Sequence, residues 1–69
     1  MTTQRKGKIM AVFEITYYDM DKDAEFKHEI TYTGPELSIR ETWEQGVYIA
    51  LKWCNDNKYV LVGISNISM

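Results

Sequence analysis

The sequence predicts a single α+β domain in the order β-β-α-β, and three observations carry that prediction. Residues 8–18 and 25–33 alternate apolar and polar side chains, as strands do. Residues 39–54 repeat apolar side chains at helical period, and a β-branched apolar run, "YVLVGISNI", follows.

Residues 1–7, "MTTQRKG", are polar and without periodicity, and are expected to form a flexible N-terminal arm ahead of a domain spanning 8–69. The first strand, "KIMAVFEITYY", places Ile9, Ala11, Phe13, Ile15 and Tyr17 on one face and Met10, Val12, Glu14, Thr16 and Tyr18 on the other. The second, "EFKHEITYT", places Phe26, His28, Ile30 and Tyr32 together, with Lys27, Glu29, Thr31 and Thr33 opposite. Pro35 then breaks the pattern. Ser38, followed three residues later by Glu41, has the signature of a capping box, so a helix is predicted from about Ile39. Its core stripe is read as Ile39, Trp43, Val47, Ala50, Leu51 and Cys54, with Arg40, Glu41, Glu44, Gln45, Lys52 and Asn55 opposite. "NDNK" ends it, with Asn55 or Asn57 suited to a left-handed cap and Lys58 to the negative end of the dipole. The last strand is predicted over Tyr59 to Ile67, buried on both faces through its first half.

A short turn joins the first two strands antiparallel, and a right-handed helical crossover returns the third parallel to the second. The predicted sheet is therefore three-stranded and antiparallel, of order 2-1-3. The helix should cover the face carrying Phe13, Ile15, Phe26 and Ile30, joined by Val60, Val62 and Ile64.

Composition narrows the chemistry. In 69 residues there is one cysteine, Cys54, so disulfides cannot supplement a small core, and a reduced, cytoplasmic setting is expected. The longest uncharged apolar runs, "YVLVGI" and "GVYIAL", fall far short of the roughly 20 residues that cross a bilayer, and no membrane association is expected. Net charge is −2, although Arg5, Lys6 and Lys8 make the amino end locally basic.

Asp19, Asp21 and Asp23 alternate like the opening ligands of a helix-loop-helix calcium site. That site needs glycine at its sixth position and glutamate at its twelfth, where this chain has Ala24 and Ile30. The aspartates are read instead as a solvated hairpin tip of about four to six residues, and no metal or cofactor is expected. Cys54 and His28 are the one conceivable nucleophile and base, but Cys54 falls on the apolar helix stripe, where a free cysteine acts as a small hydrophobe. The four glycines are isolated, with no phosphate-loop spacing. Carboxylate pairs such as Asp21 with Asp23 lack apolar surroundings to separate their acidities. The reading is non-enzymatic.

Excess apolar surface carries more information. Ile49 and Trp53 widen the apolar helix arc to roughly 200°, and Tyr48 falls among charged neighbours, where it should be exposed. Met10, Val12, Tyr18, Tyr59 and Leu61 are expected on the sheet face away from the helix. These eight residues, Tyr48, Ile49, Trp53, Met10, Val12, Tyr18, Tyr59 and Leu61, form the candidate protein interface. The expectation is a small non-catalytic interaction module, dimerising with itself or modulating a larger macromolecule, of the kind found among bacterial and phage accessory proteins. The alternative is nucleic-acid binding through the basic arm, with Tyr17, Tyr18 and Tyr32 stacking on bases.

Overall fold

The computed structural model describes residues 7–68, so the expected arm, apart from Gly7, lies outside the described residues. Strands β1 (Lys8–Asp19) and β2 (Ala24–Pro35) are followed by helix α1 (Ile39–Asn57) and strand β3 (Val60–Ser68). The sheet order is β2-β1-β3 with both pairings antiparallel, which is the predicted topology.

β1 and β2 pair without a register shift from Lys8↔Pro35 to Asp19↔Ala24. Alternation along β1 then sends Ala11, Phe13 and Ile15 under the helix, where all three are buried with Ile30 and Tyr32 from β2. Phe26 shares that face but is exposed, beside Tyr17 near the hairpin end of the sheet. Pro35, which lacks a donor, ends β2 on the sheet edge, where a missing ladder bond is tolerated.

The β1–β3 pairing differs. Thr16 faces Gly63 while Tyr17 faces Leu61, leaving Val62 without an opposite residue; a second shift, between Val12↔Ser68 and Phe13↔Asn66, leaves out Ile67. Each extra residue inverts the inside-outside alternation. Leu61 and Ile64 therefore both pack on the core, whereas Val60 and Val62 are exposed. This corrects two expectations: Val60 and Val62 do not join the helix-facing core, and Leu61 is not on the open face. Tyr59 precedes the strand and also packs on the core.

At the start of α1 the capping box forms as predicted: the Glu41 N–H donates to Ser38 Oγ at 3.1 Å and the Ser38 N–H donates to Glu41 Oε1 at 3.3 Å. Buried Thr42 satisfies its hydroxyl by donating to the Ser38 carbonyl at 2.8 Å. At the other end the left-handed residue is Lys58 (φ 62°), not Asn55 or Asn57. The Lys58 and Tyr59 N–H groups donate back to the carbonyls of Asn55 and Cys54, at 3.2 and 2.8 Å, in a Schellman closure. Docking of the Tyr59 ring against Tyr17 and Trp53 fixes where the chain must reverse.

The buried helix face comprises Thr42, Gly46, Ala50 and Cys54, flanked by partly buried Ile49 and Trp53. It is rotated by about 60° from the predicted stripe at 3.6 residues per turn, which leaves Leu51 exposed; Ile39 is exposed as well, as the first residue of the helix. Close approach drives the rotation. A Cβ on Gly46 would lie 2.5 Å from Phe13 Cζ, so the Phe13 ring occupies the space a side chain would need.

Candidate protein interface

Cys54 and His28, the pair considered for nucleophile and base, both take part in packing. Cys54 is 2% exposed, and burial pushes its thiol pKa up, away from the thiolate that a nucleophile needs. His28 is exposed but stacks its ring on Trp53, with centroids 4.1 Å apart and planes 7° from parallel. Trp53 also meets the edge of Tyr17 at 5.1 Å, and Tyr17 stacks on Tyr59 at 4.4 Å. This aromatic cluster clamps the C-terminal half of α1 to the hairpin end of the sheet. Its members were individually visible in the sequence, but their meeting required the true helix phase.

The aspartates build the turn. Asp19 is buried, and its Oδ1 accepts the N–H groups of Asp21 and Lys22 at 2.9 and 3.3 Å. Asp23 takes up a left-handed conformation (φ 53°), which aspartate tolerates better than most residues, and accepts the Tyr18 hydroxyl proton on Oδ1. That bond raises the Tyr18 pKa, with smaller contributions from burial and Asp19. A shallow groove of about 280 Å³ runs between this turn and the end of α1, lined by Asp19, Met20, Asp21, Asn57, Lys58 and Tyr59. Among the described residues no three metal-ligating side chains come together.

The eight predicted interface residues separate into two groups. Tyr48 and Met10 are exposed, and Val12 and Tyr18 lie half-buried on the face away from the helix. Ile49, Trp53, Tyr59 and Leu61 pack against the core, leaving much less of each surface available. The open sheet face is interrupted by polar residues, as the alternation along β1 predicts. Between Met10 and Tyr18 on β1 lie Glu14 and Thr16; Glu14 sits opposite Glu29, and Lys27 Nζ approaches Glu14 Oε1 at 3.8 Å. Of the three tyrosines considered for base stacking, Tyr32 is buried, Tyr17 packs on the core and Tyr18 is half-buried on the open face. Arg5 and Lys6 of the basic arm lie outside the described residues.

Exposed apolar residues lie elsewhere, and of these Ile39, Trp43, Leu51 and Val62, but not Ile67, belong to the predicted core. On α1, Ile39, Trp43 and Leu51 are 77, 39 and 52% exposed; on β3, Val62 and Ile67 are 52 and 50% exposed. Trp53 leans toward β2 through His28, which turns the opposite helix flank, carrying Trp43 and Leu51, toward β3. The apolar helix flank and the outer strand therefore lie on the same side of the molecule. One signal for this was present in the sequence. Residues 60–68 contain no Asp, Glu, Lys or Arg, and an isolated glycine within an apolar strand, Gly63, often marks a bulge.

No protein-family model, curated protein or solved structure matches this chain. Among the described residues no helix is long and apolar enough to cross a membrane.

Proposed function

We propose that this chain is a small non-catalytic protein-interaction module that acts through the α1–β3 side of its fold, binding a second copy of itself or a larger macromolecule. The observation that carries this reading is the exposure of Trp43 and Leu51 on the helix flank turned toward an outer strand that carries exposed Val62 and Ile67, with Ile39 exposed at the start of the same helix. Grouped apolar residues of this size mark contact surfaces more often than scattered single ones do, and tryptophan is enriched where such contacts are strongest. The buried thiol of Cys54 and the turn-forming duties of Asp19 and Asp23 support a role without chemistry. The sole cysteine, unpaired, suits a reducing compartment such as the cytoplasm.

Wild-type chain and an Ile39→Asp/Leu51→Asp variant test this reading together. Both positions are exposed, so the variant should stay folded by circular dichroism. It should lose self-association measured by sedimentation, or lose proteins that the immobilised wild type retains from cell extract. If wild type and variant are equally monomeric and retain the same proteins, the reading is wrong.

A further inference from the structure

We infer that β3 is a self-pairing edge: two copies of the chain join antiparallel along β3, about a two-fold axis within residues 63–66, to form one continuous six-stranded sheet. This rests on the interaction-module reading above and specifies its partner and geometry.

The two outer strands provide the first argument. Edge strands that stay single carry charges, prolines or other features that oppose pairing. β2 is so equipped, with Glu25, Lys27, His28 and Glu29 along it and Pro35 at its end. β3 has nine residues and none of those groups. An isologous contact sets a strand against its own sequence, so any charge near the axis would meet its own copy. β3 contains no charge to be repelled, whereas β2 would bring Glu25 and Glu29 against a strand bearing the same charges.

The two shifted positions provide the second. Bulges ordinarily protect an edge by twisting it away, but the unpaired residues here are Val62 and Ile67, both half exposed. Between them, residues 63–66 pair regularly with β1, apart from any further shift. An antiparallel two-fold through Ile64 sets Leu61 of one copy opposite Ile67 of the other, and Val62 opposite Asn66, each twice per dimer. The half-exposed Ile67 thus meets an apolar residue across the outer ladder, and no charged side chain faces its own copy.

The helix provides the third. An antiparallel two-fold across a sheet edge keeps both helices on the same face. Two β1 strands would then be separated by three strand spacings, about 14 Å, and a helix with its side chains is about 10–12 Å across. Trp43 and Leu51 lie on the flank turned toward β3 and would face their copies across the remaining gap of about 2–4 Å. Strand pairing and helix contact therefore cover one continuous apolar surface.

The test is sedimentation equilibrium across about 1 μM to 1 mM, with Val62→Lys, Ile67→Lys and, on β2, Thr33→Lys. Wild type and Thr33→Lys should dimerise alike. Either β3 variant should weaken the dimer about a hundredfold or more by burying an unpaired charge, with an unchanged circular dichroism spectrum. In the wild-type dimer the outward amides of residues 63–66 should gain protection from hydrogen exchange on raising concentration, and those of β2 should not. A dimer that resists both β3 lysines overturns the inference while leaving an interaction module that uses another surface. A wild type that stays monomeric throughout also overturns it, and the module reading then stands or falls on proteins lost by the Ile39→Asp/Leu51→Asp variant.

Discussion

β2 and β3 flank the same central strand, yet they are joined to it in different ways. β2 follows β1 through a four-residue turn and pairs along its full length without a shift. β3 arrives through a helical crossover, pairs over fewer residues and is displaced twice. Outward character follows the same division: β2 alternates charges with core residues, whereas β3 is uncharged. A strand fixed by a tight local turn reaches its register before distant contacts form, so its solvent side can be given to charge. A strand that must come from far along the chain depends more on apolar contact, and some of that apolar surface remains outside after the monomer is complete. The same asymmetry extends to the helix, whose β2 flank is closed by the His28–Trp53 stack and whose β3 flank exposes Leu51.

The largest effect should come from the element both edges share. Phe13 is fully buried on β1 against Gly46 and meets Trp43 edge-on at 5.9 Å. Phe13→Ala should remove about 3–5 kcal/mol, a large part of what a domain this small possesses. Urea unfolding should show one much weaker transition. If β2 amides keep their protection while β3 amides lose theirs, the two sides do not share one core. A smaller effect is expected from making β2 resemble β3. Lys27→Thr with Glu29→Thr removes two charges from that edge and also the Glu14–Glu29 apposition. The stability change should stay within about 1 kcal/mol, while light scattering should reveal new association. No change in association would show that charge is not what keeps β2 single. Where β2 meets the helix, His28→Ala should lower stability by about 0.5–1 kcal/mol through loss of its stack on Trp53. An equal loss from Tyr48→Ala, which alters an exposed residue, would contradict the assigned clamp.

How much of this could be read in the residues depends on the range of the interactions that decide it. The two alternating strands, the Ser38–Glu41 cap and the 2-1-3 order follow from local pattern and connection rules, and all are present. The helix phase was not legible, because it is set by Phe13 entering the space beside Gly46, a contact between residues far apart in sequence. An apolar stripe drawn from side chains alone weights Val47 and Leu51 above glycine, and so points away from the face that approaches most closely. The inversion along β3 has a similar origin: strict alternation groups Val60, Val62 and Ile64, and only the shifted pairing with β1 separates them. Four of the eight interface candidates, Ile49, Trp53, Tyr59 and Leu61, are partly buried against the core. The exposed apolar flank was found only once the helix had been rotated.

The smallest effect should come from alkali, and it should begin on the β3-facing flank. Burial raises the Cys54 thiol pKa above its ordinary value of 9.0. Tyr17, on the clamp side, is raised above 10.0, first by burial and then by Tyr59, Asp19 and Cys54. Both groups are neutral when protonated, and the folded chain holds their protons more tightly than the unfolded chain does. Their stabilising contribution is therefore complete below the unfolded pKa and is lost as pH rises toward and through the folded one. The urea midpoint should hold steady to about pH 8 and begin to fall near 9, before the tyrosines contribute. Cys54→Ala keeps a small apolar group at the site and should delay the onset by roughly one pH unit, to where Tyr17 and Tyr18 begin to titrate. If the variant and wild type decline together from pH 9, the thiol is not the group that loosens this flank.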